Sequence, residues 1–137
     1  MLFRLFAATI ALLSIGALAS AACAESAAAR RWHVFLIAAD HAEPVFDNAV
    51  DRLLALFKTR YGIAAEAFSA RARRPAGKRD ATWQEISHVV EGRKMGANDA
   101  CLFYFTSHGD PGGLFMVRHR SLLPPEYLAD LLDRTCG

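Results

Sequence analysis

The feature that most constrains the fold is an apolar run at residues 99–109, DACLFYFTSHG, which ends abruptly in Ser-His-Gly. A run of this length, closed by a turn that contains glycine, is typical of a strand buried on both faces of a parallel sheet. In open α/β sheets, ligands bind just beyond the carboxyl ends of the strands. His108 follows this strand and leaves two interpretations open: an imidazole placed at the sheet rim for chemistry, or a turn histidine that only caps the strand.

Strands and helices are predicted to alternate along the chain. Trp32–Ala39 also has the composition of a buried strand, and Asp40 and His41 follow it at the same rim as His108 if the strands are parallel. The predicted order is a strand at 32–39, a helix at 43–61, a strand at 63–69, a helix at 81–93, a strand at 101–106, a small hairpin around 114–117 and a helix at 126–134. This alternation predicts an α/β fold, a mostly parallel sheet with helices on both faces.

The segment between the second strand and the second helix is strongly basic. Residues 71–80 read RARRPAGKRD, which is either an anion-binding patch or a solvated, mobile connection. No aromatic residue is interleaved with the charges, which favours the connection. The helix that follows has a start signal, because Thr82 stands three residues before Glu85 as in a capping box.

The N-terminus has the three-part layout of a secretory signal peptide. A basic start at residues 1–4 is followed by the uncharged apolar stretch 5–19 and by small residues that end at Ala24. We therefore expect a signal peptide at 1–24, a loose mature N-terminus at 25–31, export to the periplasm or beyond the cell, and no stable membrane insertion after cleavage. The alternatives are an uncleaved anchor, for which the apolar stretch is short, and a lipoprotein acylated at Cys23, which Ser20 disfavours.

Length and charge narrow the class of protein. A chain of 137 residues is enough for one domain, and a net charge of +2 is too small to imply a nucleic-acid partner. The sequence has no Gly-x-Ser-x-Gly elbow, no HExxH pair and no glycine-rich phosphate loop after a strand, so no metal and no cofactor are expected. It does not indicate an oligomeric state.

The cysteines lie at the wrong end of the sheet to work with His108. Cys101 starts the strand that His108 follows, which separates the two by on the order of 20 Å. The last helix should return Cys136 to the same far edge. Cys101 and Cys136 then form either a disulfide, which export permits, or two inert buried thiols. An isolated imidazole is a general base only when a nucleophile is within reach, and neither thiol is.

Four segments taken together resemble the bacterial branch of the legumain family of cysteine peptidases, which belongs to the caspase-like clan. They are the strand at 32–40, FDNAV at 46–50, CLFYFTSHG at 101–109 and the segment 122–132. The resemblance implies a caspase-like three-layer sandwich over residues 32–137. It also implies that His108 is the catalytic imidazole and that the backbone N–H of Gly109 contributes to the oxyanion hole. Asp40 and His41 stand where family members shape the substrate pocket, although Asp40 can also cap a helix.

The sequence departs from the family at the nucleophile. The family's cysteine follows its histidine by roughly 40 to 50 residues, which lies beyond Gly137. The resemblance therefore implies a truncated, N-terminal part of an exported cysteine endopeptidase that acts on peptides or proteins, inactive in this form. The alternative is an exported, non-catalytic binding domain on the same scaffold. Without later strands, the strand at 101–106 should expose an apolar edge and lower the solubility of the chain.

Overall fold

A computed structural model describes residues 30–136 of the chain. The predicted signal peptide at 1–24 and most of the predicted loose N-terminus at 25–31 lie outside the described residues. The described part is a mixed α/β domain with a four-stranded parallel sheet, a small antiparallel sheet and three helices. In chain order its elements are β1 (Arg31–Ala38), α1 (Pro44–Leu56), β2 (Glu66–Ser69), β3 (Arg79–Asp80), α2 (Trp83–Glu91), β4 (Asp99–Thr106), β5 (Gly109–Asp110), β6 (Gly113–Met116), β7 (Ser121–Leu123) and α3 (Pro125–Thr135).

The parallel sheet has the strand order β3-β2-β1-β4. β1 is central and pairs along its whole length with β4, from Arg31 opposite Asp99 to Ala38 opposite Thr106. On its other side, β1 pairs with β2. All four carboxyl ends therefore lie at one rim of the sheet, as the alternation of strands and helices predicts.

The two faces of β1 build two hydrophobic clusters. Val34, Leu36 and Ala38 pack with Val50 of α1 on one face. Phe35 and Ile37 contribute to the cluster on the other face, which also contains Ile86 of α2 and Leu131 of α3. Helices consequently cover both faces, because successive strand residues point to opposite sides and both sides of β1 are apolar.

The strand before His108 differs from its prediction. All eight residues of β4 are only half-buried, whereas β1 is fully buried from Val34 to Ala38. Within residues 30–136, β4 lies at the edge of the sheet and pairs only with β1. The prediction that this strand is buried on both faces is therefore wrong for the described part of the chain, although its apolar composition matches that of the central strand.

Local signals set the ends of the helices. Pro44 occupies the first turn of α1, where its missing N–H costs nothing. α1 continues through a π-helical turn at Phe57–Tyr61 and stops at Gly62, whose φ of 66° is the left-handed conformation that glycine tolerates. The Thr82 side chain accepts a hydrogen bond from the Glu85 N–H at 3.2 Å, which confirms the predicted cap of α2.

The predicted hairpin is a three-stranded antiparallel sheet in the order β5-β6-β7. It is tied to the large sheet, since the Val117 N–H donates to the Ala39 carbonyl at 3.1 Å. Gly113 has a φ of 139°, and a Cβ there would overlap the Leu123 carbonyl. Only glycine therefore allows β6 and β7 to approach each other at this point.

The amino end of the sheet is fastened by a disulfide. Cys101 at the start of β4 is bonded to Cys136 after α3, with the Cα atoms 6.0 Å apart. This settles the open alternative in favour of a bridge and confirms that the two cysteines share the far edge. Nearby, Arg31 and His33 of β1 both contact the Asp99 carboxylate, and Arg31 does so through two nitrogens.

Each of the helices described within residues 30–136 is too short or too polar to cross a bilayer.

Candidate functional site

The pairing of β1 with β4 places Asp40 beside His108. Ala38 is opposite Thr106 in the ladder, and the Ala39 N–H donates to the Thr106 carbonyl at 3.0 Å. Continuing the same register by two residues sets Asp40 opposite His108. The two side chains therefore meet just past the carboxyl ends of adjacent parallel strands, the usual position of a site in such a sheet.

A short hydrogen bond joins the two side chains. His108 Nδ1 lies 2.6 Å from Asp40 Oδ2. The other oxygen, Asp40 Oδ1, accepts the backbone N–H of His41 at 2.6 Å and that of Ala42 at 2.9 Å. Asp40 is 2% exposed, so three donors fix a buried carboxylate in one orientation.

The charge on Asp40 determines the proton position on His108. Burial acts to raise the pKa of the Asp40 carboxyl, but the hydrogen bonds from His108, Ala42 and His41 outweigh it and hold this pKa below its ordinary value. Asp40 is then ionised near neutral pH and has no proton to donate. His108 Nδ1 must therefore carry the proton, which leaves Nε2 with a lone pair when the ring is neutral.

The His108 ring is held at its base and open at its tip. Its side chain is 58% exposed, and the Phe46 ring packs edge-on against it with the centroids 5.0 Å apart. The backbone is also fixed, since the His108 carbonyl accepts the Phe115 N–H at 2.8 Å. An imidazole oriented in this way can take a proton from a group that approaches Nε2 from solvent.

Gly109 follows His108 as the first residue of β5. Because the His108 carbonyl faces β6, the alternation of antiparallel pairing turns the Gly109 N–H away from β6. β5 is an edge strand of the small sheet among the described residues. The Gly109 N–H is thereby available to a ligand beside His108.

His41 and the cysteines are not brought to the imidazole. The His41 side chain is exposed, and the residue contributes its backbone N–H to Asp40. Asp40 does not cap α1, because Glu43 occupies that position without a side-chain bond. Cys101 and Cys136 form the disulfide at the opposite end of the sheet, so neither supplies a thiolate to His108.

A second buried carboxylate at the same rim was not predicted. Asp47 of α1 is 1% exposed and accepts the Ser69 hydroxyl at 2.8 Å. It also lies 2.8 Å from Arg71 Nε and 3.3 Å from Lys78 Nζ, and Lys78 reaches Asp51 as well. Part of the basic segment at 71–80 is therefore neither a solvated connection nor a free anion site, because its cations pair with the Asp47 and Asp51 carboxylates of α1.

No known family model matches the sequence, and no curated protein and no solved structure is significantly similar to it. Within the part of the chain that the structure describes, no group of three or more His, Cys, Asp or Glu side chains is placed to bind a metal ion. The function is therefore inferred from the chemistry of the Asp40–His108 pair and its surroundings.

Proposed function

We propose that this chain is the N-terminal part of an exported, legumain-like cysteine endopeptidase with a caspase-like sandwich, and that His108 is its general base. The observation that carries the proposal is the 2.6 Å bond from His108 to buried Asp40, which leaves Nε2 directed away from Asp40 on an exposed ring. The Cys101–Cys136 disulfide supports export, because such bridges persist in oxidising compartments.

In the proposed reaction, a cysteine thiol gives its proton to His108 Nε2, and the thiolate attacks the carbonyl carbon of a peptide bond. The charge that develops on the carbonyl oxygen is stabilised by the Gly109 N–H. His108 then protonates the departing amine, and water hydrolyses the acyl-enzyme. The ionised Asp40 stabilises the imidazolium in between and is thus a positioning residue in this proposal, while exposed His41 remains a candidate for substrate contact.

The nucleophile in this proposal belongs to a strand that would pair with β4 and end at the same rim. The outer side of β4 is unpaired among the described residues, which leaves a place for such a strand. Both described cysteines are excluded because they form the disulfide at the other end of the sheet.

The second candidate is an exported binding domain without catalysis. It is favoured by one observation: residues 30–136 hold an oriented histidine but no free thiol. In that case the rim around His108 binds a peptide or protein and does not cleave it.

The test is hydrolysis of a mixed library of fluorogenic peptides by the product of the whole reading frame, beside the 137-residue chain. We expect hydrolysis by the longer product that iodoacetamide blocks, a loss of at least about 1,000-fold in His108→Ala, and no hydrolysis by the shorter chain. A reading frame that stops at Gly137 would refute the peptidase, as would a longer product without activity. Hydrolysis by the 137-residue chain would refute the missing nucleophile.

A further inference from the structure

The end of the sheet opposite His108 carries exposed apolar and cationic side chains. Trp32 is the second residue of β1, so it lies at the amino end, and it shares the face on which Val34 packs toward α1. α1 runs from the carboxyl rim back to the amino end, where β2 begins. Its terminal turns therefore bring Leu56, Lys58 and Tyr61 to the same end and face as Trp32.

The large apolar side chains at this end of the sheet are exposed. Trp32 is 46% exposed, Leu56 40% and Tyr61 60%, which makes them three of the five large hydrophobic side chains exposed in the described part of the chain. Single exposed apolar residues are ordinary, but three at one end of a sheet mark a candidate interaction surface. We call Trp32, Leu56, Lys58, Arg60 and Tyr61 the basal patch.

The charged side chains in the last turns of α1 and in the connection to β2 are all cations. Residues 52–65 contain Arg52, Lys58 and Arg60 and no aspartate or glutamate. Lys58 and Arg60 are exposed, and no carboxylate among residues 30–136 pairs with either of them. The dipole of α1 accounts for cations near its C-terminus, but it does not account for exposed tryptophan, leucine and tyrosine beside them.

A cavity of about 380 Å³ opens at the same end. Apart from the Lys58 side chain, its walls are apolar or glycine. It is lined by Leu54, Lys58, Gly62, Ile63, Ala64 and Ala65. An apolar recess with one cation at its wall fits an acyl chain below an anionic headgroup.

We propose that the basal patch docks on the surface of an anionic phospholipid bilayer. The tryptophan and tyrosine rings have an apolar body and a polar tip, which suits them to the boundary between headgroups and acyl chains. Lys58 and Arg60 contact the phosphates, and their aliphatic stems remain in the apolar layer. The binding is peripheral, it requires no spanning helix, and it holds whether or not the domain is a peptidase.

Docking at the basal patch determines which way the Asp40–His108 pair faces. The basal patch and His108 lie at opposite ends of β1 and β4, so docking at the patch turns the carboxyl rim away from the lipid. The Asp40–His108 pair then stays open to molecules in solution.

The experiment uses a chain that begins at Glu25, which keeps both hydrophobic clusters because they are built from residues 34–131. Sedimentation with vesicles of equal parts phosphatidylglycerol and phosphatidylcholine measures binding, beside vesicles of phosphatidylcholine alone. The patch variant is Lys58→Gln with Arg60→Gln. The matched control, Arg73→Gln with Arg120→Gln, removes two exposed cations at the carboxyl end of the sheet. Circular dichroism and thermal melting verify that both variants are folded.

We expect binding to the anionic vesicles alone, weakened roughly 30-fold in the patch variant by the loss of two cations near the surface and nearly unchanged in the control. With Trp83→Phe as background, Trp32 emission should shift to shorter wavelength on binding. Equal loss in both double variants would reduce the effect to net charge and overturn the proposal. It would also be overturned by no vesicle binding, by equal binding to both vesicle types, or by capture of duplex DNA without lipid binding.

Discussion

Removal of the Cys101–Cys136 bridge should destabilise the domain severely. The bridge closes a loop of 35 residues that contains His108, the small sheet and α3. The loop entropy that such a link removes from the unfolded chain corresponds to about 4 kcal/mol at 25 °C. Because domains of this size have total stabilities of roughly 5–15 kcal/mol, the loss is a large part of what holds the fold.

The assay is urea denaturation of the wild-type chain and of Cys101→Ala, Cys136→Ala and the double variant. Each single variant breaks the same link, so we expect all three to lose about 4 kcal/mol, with no further loss in the double variant. Wild type in dithiothreitol should match them, and its melting temperature should fall by roughly 15 °C. A loss below about 1 kcal/mol in the variants, or a wild type that dithiothreitol leaves unchanged, would refute the loop-entropy reasoning.

Two further predictions concern the rim and the small sheet. Asp40→Asn should cost about 2 kcal/mol at pH 7, since it removes a charged hydrogen-bond partner of His108. The pKa of Asp40 in the folded state lies below its value in the unfolded state. The wild type therefore loses its extra unfolding free energy over Asp40→Asn as the pH falls from about 4 through the folded pKa. Urea denaturation at pH 7 and pH 3 measures the difference in unfolding free energy between the wild type and Asp40→Asn. An equal difference at both pH values would contradict the prediction. Gly113→Ala should cost about 2–3 kcal/mol, because its Cβ would overlap the Leu123 carbonyl. Gly77→Ala is the control in thermal melts, as Gly77 also has a positive φ but open space around it. Equal losses in the two glycine variants would show that the overlap is unimportant.

Features encoded by neighbouring residues were predictable from the sequence. The cap at Thr82 and the end of the helix at Gly62 depend on contacts between residues a few positions apart. The alternation of strands with helices follows from the local pattern of apolar residues. The far-edge position of Cys101 and Cys136 also followed, because the direction of α3 is fixed once the sheet is parallel.

The partner of His108 was not predicted, because it depends on a pairing across 68 residues. A usable signal was present: Asp40 and His108 each stand two residues past the end of a strand of eight residues. The burial of β4 was wrongly predicted for a different reason. Its composition matches that of β1, and only the number of neighbouring strands, a property of the whole sheet, distinguishes the two.

Asp47 was missed because it interrupts the apolar face of α1 between Phe46 and Val50. A carboxylate at that position points into the protein, where only a paired cation offsets the cost of burying its charge. The segment at 71–80 contains several cations. Arg71 and Lys78 fulfil that need, a pairing that charge counting along the chain does not reveal.

The common register of β1 and β4 limits where the chain can gain or lose residues without disrupting the candidate site. Insertion or deletion of one residue inside either strand would displace Asp40 or His108 by one rung and turn its side chain to the opposite face. The loops and helices that connect the two strands carry no such restriction, because only β2 and β3 in this connection belong to the sheet. Among descendants of this gene that keep the pair, length variation should therefore accumulate between residues 41 and 98 outside β2 and β3, and be absent from the strands of the sheet.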